Sequence, residues 1–393
     1  MRIVHVNQFY IPGLSYQENI LPHEQAKLGH DVWILTSDRL PHPKKYPDSK
    51  GRLPQGIYRE DSVRIWRLPS FVPVKSRAQV YIRKLNRTIY RIRPDVVNTH
   101  GLRFFPVLQV LSKRPFFVHV GDDHSDNGNL PSGPGNIIRF GVGKQVCRKI
   151  GRLGDRIFTS NPFAEWFVKE VYAARPDCVH LLPLGINTQS FYPDLEERKT
   201  WRSKLNISDD VCIFVTSGRL TPGKGFELLF KAFADVHRSH QATRLVIAGS
   251  GTPEYEAQLH ALARDLGISD VVIFLKWMAE KDLCAVYNAA DVGVMPGKLG
   301  GMKEILGVGR PLIAPDHLAT AYLVERDNGL KFEDDDCSSL ASAMLNYVVN
   351  PTLRKKHGEQ SLQISRHQLS WAQIARDSIR VYEELLGRLP EHR

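Results

Sequence analysis

Paired cysteines, long apolar runs and low-complexity tracts are all missing from this chain. Its five cysteines, Cys147, Cys178, Cys212, Cys284 and Cys337, are scattered, with no CxxC pair among them. That argues against a structural zinc site and a disulfide framework, and fits a reducing cytosol. No run approaches the ~20 apolar residues that a membrane-spanning helix needs. The opening MRIVHVNQFYIPG breaks too early for a signal peptide. The expectation is a cytoplasmic protein, at most peripheral on the inner face of the plasma membrane. Acid is also in deficit: 53 Lys and Arg face 42 Asp and Glu, a formal net charge of +11. Such a surplus attracts phosphate esters, nucleic acid or acidic lipid.

What is present is a globular composition. Of 393 residues, 42% are apolar and 24% charged, enough for a real core and a length suited to two or three domains. Short β-branched runs predict strands at residues 3–6, 32–36, 63–67, 96–99, 116–120 and 156–159. A second set falls at 211–216, 244–248, 271–275, 292–295 and 311–314. Most are continuously apolar, as in strands of a parallel sheet covered by helices on both faces. Helical patterns at 17–28, 79–91, 164–172, 226–237, 253–266 and 282–289 lie between them, and another runs from Trp371 to Leu386. The alternation is α/β and doubly wound, and it starts twice, at Met1 and at Val211. LPLGINTQSFYPDLEERKTWRSKLNI reads as the connection between two domains.

The densest signal is VCIFVTSGRLTPGKGFELLFKAF, residues 211–233. An apolar run stops at Gly218, and Arg219 and Lys224 follow in a glycine-rich turn before an amphipathic run. Gly218-x4-Gly223-Lys224 nearly spells a P-loop, but Gly225 stands where a Mg²⁺-holding Ser or Thr belongs. The phosphate chemistry survives without it. A turn at a helix N-terminus offers free N–H donors and the positive end of the dipole, and two cations add to it. An ordinary turn with exposed basic residues is the bland alternative.

SGRLTPGKGFELLFKAF, RLVIAGSGTPEYEAQL, VVIFLKWMAEKDLCAVYNAADVGVMP and KEILGVGRPLIAP, in that order, resemble the donor domain of retaining GT-B glycosyltransferases of family 4. HVNQFYIPGLSYQENILPHEQAKLGHDVWILTSD resembles the start of that family's acceptor domain. The resemblance implies two Rossmann-like domains facing across a cleft: residues 1–190 for the acceptor, with residues 371–393 packing back on them, and 208–370 for the nucleotide sugar. It implies that Arg219 and Lys224, with Gly218, hold the donor's diphosphate, and that Glu304 accepts from the ribose hydroxyls. The family's first glutamate falls on Pro296, a departure. Backbone N–H groups of Gly300, Gly301 and Met302 are candidates for sugar or phosphate contacts there, and Lys298 is either a phosphate contact or a solvated lysine. Gly249 ends a strand at the same edge. Trp277 and Met278 lie where the family flanks the nucleotide base; Trp277 either stacks on the base or packs in the core.

In the first half, Gly13 and Ser15 correspond to a loop that approaches the donor phosphates. Tyr16 either faces the acceptor or merely opens a helix. His100 either lines the cleft or is a structural strand-end histidine. PFFVHVGDDHSDNGN places Asp122 first, with His119 beside it, as groups to orient or deprotonate the acceptor hydroxyl. The segment from Lys75 to Arg93 carries seven basic residues and an apolar stripe. It reads either as an amphipathic helix for an anionic membrane or as a packed surface helix. No nucleic-acid-binding signature supports that use of the charge.

The resemblance implies a retaining hexosyltransferase with a UDP- or GDP-type nucleotide sugar as co-substrate. It implies a glycan or lipid-linked acceptor in surface polysaccharide or lipid-linked glycan synthesis, and neither cofactor nor metal. The rivals are a nucleotide-sugar 2-epimerase on the same fold and a degenerate subunit that only binds. Nucleotide release from candidate donors separates a transferase from a binder.

Overall fold

The computed structural model of the chain describes residues 1–13, 16–40, 51–73, 79–112, 118–123, 134–297 and 302–387. The chain divides into two compact units. One is Met1–Gly185 with the C-terminal segment from Trp371; the other is Ile186–Ser370.

Strands of the first unit are β1 (Arg2–Asn7), β2 (Asp31–Ser37), β3 (Gly56–Glu60), β4 (Val63–Leu68), β5 (Ser70–Phe71), β6 (Tyr81–Ile82), β7 (Val96–His100), β8 (Val118–Asp123), β9 (Arg156–Thr159) and β10 (Val179–Leu181). Eight form a sheet in the order β10-β9-β8-β7-β1-β2-β4-β3, parallel except for the β3–β4 pair. β5 and β6 pair separately. Those of the second unit are β11 (Cys212–Ser217), β12 (Thr243–Ala248), β13 (Val272–Leu275), β14 (Val292–Val294), β15 (Leu312–Pro315) and β16 (Gly329–Phe332), ordered β13-β12-β11-β14-β15-β16 and parallel throughout.

The continuously apolar runs work because successive strand residues face opposite sides. Phe214, Leu245, Ile247, Val292 and Ile313 enter one core of the second unit. Their neighbours Ile213, Val215, Val246, Leu312 and Ala314 enter the other. Every expected strand has an observed counterpart, and only β8, expected at 116–120 and observed at Val118–Asp123, differs by more than two residues at an end. β3, β5, β6, β10 and β16 were not foreseen; β3 is largely exposed and β10 half-buried, so neither shows as an apolar run, and β5 and β6 are two residues each. The charged stretch expected as a linker forms the helix Leu195–Lys204, which belongs to the second unit.

The helix Trp371–Gly387 belongs to the first unit. Trp371, Ile374, Ala375 and Tyr382 pack with Ile3, Val32, Ile34 and Val96. Polar groups tie it as well: Gln25 Nε2 donates to Ser378 Oγ at 2.8 Å and Asn98 Nδ2 to Tyr382 OH at 3.0 Å.

The helix expected over 79–91 is corrected. Only Leu85–Ile92 is helical. Before it the backbone bonds elsewhere: the Val80 N–H donates to Gln8 Oε1 at 3.1 Å and the Ile82 N–H to Gln109 Oε1 at 3.0 Å. The apolar stripe is also spent within the fold. Val80, Leu85, Ile89 and Ile92 are buried against Val4, Val97 and Val110. Among its described residues the stripe is therefore core, and the exposed aromatic surface here is Tyr81, against Phe71. Lys75 and Arg77 lie outside the described residues. No described helix is long and apolar enough to cross a membrane. Ile89→Ala should therefore cost about 2–5 kcal/mol of stability, read by chemical denaturation of the first unit. Arg87→Ala on the exposed side should stay within about 0.5 kcal/mol. An Ile89 variant as stable as wild type would mean that the stripe is not core.

Candidate functional site

β11 delivers its chain to the carboxyl edge of the second sheet, the edge where open parallel sheets receive ligands. The Gly218 N–H donates to the Ala248 carbonyl at 2.9 Å, and the Leu220 N–H to that of Ser250 at 3.0 Å. The loop after β11 thereby lies against the loop after β12. The contact is backbone on backbone: a Cβ on Gly249 would stand 1.9 Å from the Gly218 carbonyl oxygen. On its other side the same turn meets the loop after β14. Gly225, at φ +79°, is the N-cap of the helix Phe226–Ser239, and a Cβ there would stand 2.2 Å from the Pro296 carbonyl oxygen. Pro296, where the first glutamate was looked for, contributes that carbonyl.

Among the described residues nothing balances the positive charge of the turn. Arg219 is exposed and Lys224 half-buried. Lys224 folds back so that its Nζ lies 4.0 Å from where a Gly218 Cβ would be. Among the described residues neither cation has a hydrogen-bond or carboxylate partner, and the one acid in the first turn of the helix, Glu227, accepts from Tyr255 OH at 2.7 Å. Burial, and then the charge of Arg219, hold the Lys224 pKa below the usual lysine value. The helix N-terminus adds unbonded N–H groups and its positive dipole end. This arrangement suits a multiply charged oxyanion.

Glu304 begins the helix Glu304–Gly307 and bonds Lys303 Nζ at 2.7 Å. Burial first, and the Glu304 carboxylate second, push the Tyr287 and Tyr322 phenols well above their ordinary value. Tyr287 OH shares a 2.5 Å hydrogen bond with Ser217 Oγ, on the last residue of β11. Glu304 thus belongs to the same edge as the turn. Met302 is 1% exposed and accepts from Thr216 Oγ1 through sulfur, so its side chain is core. Trp277 is the reverse: 77% exposed, held by its N–H donating to Ser250 Oγ at 3.0 Å. It is not core. Met278 is half-buried against the second unit's core. Lys298, Gly300 and Gly301 lie outside the described residues. Lys303, Ser217, Tyr287 and Tyr322 were not foreseen. Only Lys303, a charge beside Glu304, left any trace in the sequence.

The first unit separates its candidates. Gly13 has φ +76° and open space at its Cβ position. Ser15 lies outside the described residues. Tyr16 is 60% exposed at the N-cap of the helix Gln17–Lys27 and makes no side-chain cap. His100 ends β7, buried, with Nε2 3.0 Å from His5 Nδ1; His5 Nε2 is 2.7 Å from Gln25 Oε1. Asp122 pairs with His100 in register, and its side chain is outside the described part. His119 is corrected. It is the second residue of β8, with no exposed surface. Its ring is 2.7 Å from Thr99 Oγ1 and 4.0 Å from Asp155, and its N–H donates to Asp155 Oδ1 at 3.2 Å. Such a histidine braces the sheet interior and does not reach the ligand edge. Among the described residues no cluster of His, Cys, Asp or Glu is placed to hold a metal.

Residues 197–363 match the family described as glycosyl transferases group 1, and residues 21–190 match glycosyltransferase family 4. Among similar proteins is a GDP-mannose-dependent monoacylated alpha-(1-6)-phosphatidylinositol monomannoside mannosyltransferase of Corynebacterium glutamicum, 28% identical over 58% of this chain and 62% of that protein. A D-inositol 3-phosphate glycosyltransferase of Acidothermus cellulolyticus is 32% identical over 66% of this chain and 60% of its own length. The chain thus aligns with about three fifths of each. In fold it resembles the sucrose-phosphate synthase of Thermosynechococcus elongatus, at TM-score 0.74 and 19% identity, over 99% of this chain and 100% of that one.

The loop contacts set a sharp expectation. Gly249→Ala must push one backbone off another, so it should cost about 1–3 kcal/mol as an overpacking change and lower the melting temperature of the second unit. Calorimetry reads this directly, and an unchanged melting temperature would mean that the loops do not touch.

Proposed function

Because the chain belongs to the glycosyltransferases of group 1 and family 4, we propose that it moves a sugar from a nucleotide-diphosphate sugar to a hydroxyl acceptor with anomeric retention. The observation that carries this is the pair Arg219 and Lys224, uncompensated at a helix N-terminus on the carboxyl edge of the second sheet. A diphosphate supplies the missing anion. As the glycosidic bond to the diphosphate breaks, negative charge builds on the leaving oxygen, and fixed cations and N–H donors stabilise it without reorganising. Glu304, acceptor-only when ionised, suits the ribose hydroxyls. Trp277 offers an exposed aromatic face to a nucleotide base. The base is of the UDP or GDP type; the GDP-mannose-dependent relative supports the second.

His100 and Asp122, neighbours in register at the carboxyl ends of β7 and β8, are the acceptor-side candidates. We place the acceptor among glycans and lipid-linked glycans, a reading supported by the phosphatidylinositol mannoside named for one relative.

Arg219→Ala or Lys224→Ala should each reduce turnover by about 100-fold or more, the scale for losing one charge-stabilising donor, with the melting temperature held. Release of nucleotide from UDP- and GDP-sugars measures it. Near-normal turnover in both variants would sink the assignment.

A lipid-linked acceptor brings the protein to an anionic surface. Arg83, Lys84, Arg87, Arg91 and Arg93 are exposed beside the buried stripe. Arg83 stacks over Phe71 at 5.4 Å and Arg91 over Trp66 at 5.8 Å. With the stripe buried, the attraction expected here is mainly electrostatic, roughly 1 kcal/mol per basic residue, and weakens with salt. Vesicles of acidic lipid should sediment with the protein at low salt and release it at high salt. Changing Arg83, Lys84, Arg87 and Arg91 to Gln should abolish this. A wild type that ignores acidic vesicles at low salt overturns the reading.

A further inference from the structure

The opposite, amino edge of the second sheet carries a second accumulation of positive charge. Arg198, Arg202, Arg310 and Arg354 gather there around Asp291, the residue before β14. Asp291 is already committed. Its Oδ1 accepts from Arg198 Nη2 at 2.7 Å; its Oδ2 accepts from the Ile213 N–H at 2.8 Å and lies 3.3 Å from Arg202 Nη1.

Part of this cluster has a folding reason. Arg198, Arg202 and Arg310 donate to carbonyls of residues 288–290, closing the C-terminal end of the helix Glu280–Ala289. Cations suit that end of a helix. Capping does not account for the rest. Nε of Arg310 is buried and bonds no described atom. Arg354 donates to the Tyr347 carbonyl at 3.2 Å and to Cys212 Sγ at 3.1 Å. Among the described residues, neither Arg310 nor Arg354 has a carboxylate of its own. Burial first, then Arg198, with Asp291 opposing and Arg202 and Arg354 adding, take the Arg310 pKa down to about 10. Arg310, Arg354 and Lys355 line one surface cavity of about 340 Å³, with Asp291 and Glu359 as its acids. Glu359 is 3.9 Å from Lys355, and Asp209 is 3.5 Å from Arg202. Counting the cluster and its wall, five cations meet three acids.

We propose that this cavity is a second anion site, taking a phosphate dianion between Arg310, Arg354 and Lys355. The guanidinium N–H groups of Arg354 that bond no described atom match tetrahedral oxyanion acceptors, which planar guanidinium forks bind well, and Arg310, its Nε buried, adds charge from the cavity wall. The site is distinct from the turn of Arg219 and Lys224. β11 runs between them, from Cys212 at this edge to Ser217 at the other, roughly 17 Å at about 3.3 Å per residue.

The test removes the turn first. In an Arg219→Ala, Lys224→Ala protein, inorganic phosphate titrated at constant ionic strength should still bind saturably at one site by calorimetry. Adding Arg354→Gln should lower that affinity at least tenfold. Lys355→Gln, an exposed side chain without a folding role, should lower it severalfold while keeping the melting temperature. No saturable binding in the turn-disabled protein overturns the proposal, as does unchanged affinity in both added variants.

Discussion

The second unit depends on one kind of contact: bare backbone pressed on backbone at the carboxyl edge of its sheet. Gly249 meets the Gly218 carbonyl and Gly225 meets that of Pro296, at spacings that no side chain could enter. Through these two contacts the loops after β11, β12 and β14 become one surface. The turn's cations, the exposed Trp277 held by Ser250, and Tyr287, which bonds Ser217 and feels the Glu304 carboxylate, all gather at this edge. A site built on touching loops is preorganised, because the groups that meet a ligand cannot move independently.

The sequence carried this fold unevenly, for physical reasons. Buried parallel strands announce themselves, since both faces must be apolar, and β9 falls where its run predicts, at residues 156–159. β3 does not, because an exposed antiparallel edge strand needs no apolar pattern. Residues 79–84 have helical spacing, yet Gln8, just past β1, and Gln109, on the helix Phe105–Ser112, claim their backbone groups, a contact no local pattern encodes. The site divides the same way. The turn that carries Arg219 and Lys224 was legible as a turn, because glycines between a strand and a helix are a local motif. The inward course of His119 was not: whether a strand histidine points to Asp155 or to a ligand depends on residues 36 positions away.

In the first unit, polar side chains do in the interior what backbone does at the second unit's edge. His100 is held by His5, His5 by Gln25, and Gln25 by Ser378 of the last helix. Tyr382 on that helix also receives Asn98, two residues before His100 on β7. Such a network is stable only if each member is satisfied, and then it fixes side-chain positions closely. The amphipathic pattern of residues 371–386 announces a helix but not its place, which the family resemblance implied and this network and the Trp371 packing fix.

The two cationic clusters differ in what the fold asks of them. At the amino edge, arginines cap a helix C-terminus, where the dipole favours them, and folding alone accounts for several of their bonds. At the carboxyl edge, Arg219 and Lys224 stand before a helix N-terminus, where the dipole is of their own sign. Folding gains nothing from cations there; an acid or a capping Ser, Thr, Asp or Asn would serve the helix better. Instead Gly225 leaves the N-terminus uncapped by any side chain, Glu227 turns to Tyr255, and two like charges lie close enough for one to depress the pKa of the other. Each of these choices works against the empty protein. All of them would favour a protein holding a doubly charged phosphate group, which is why the proposed function is placed on this turn.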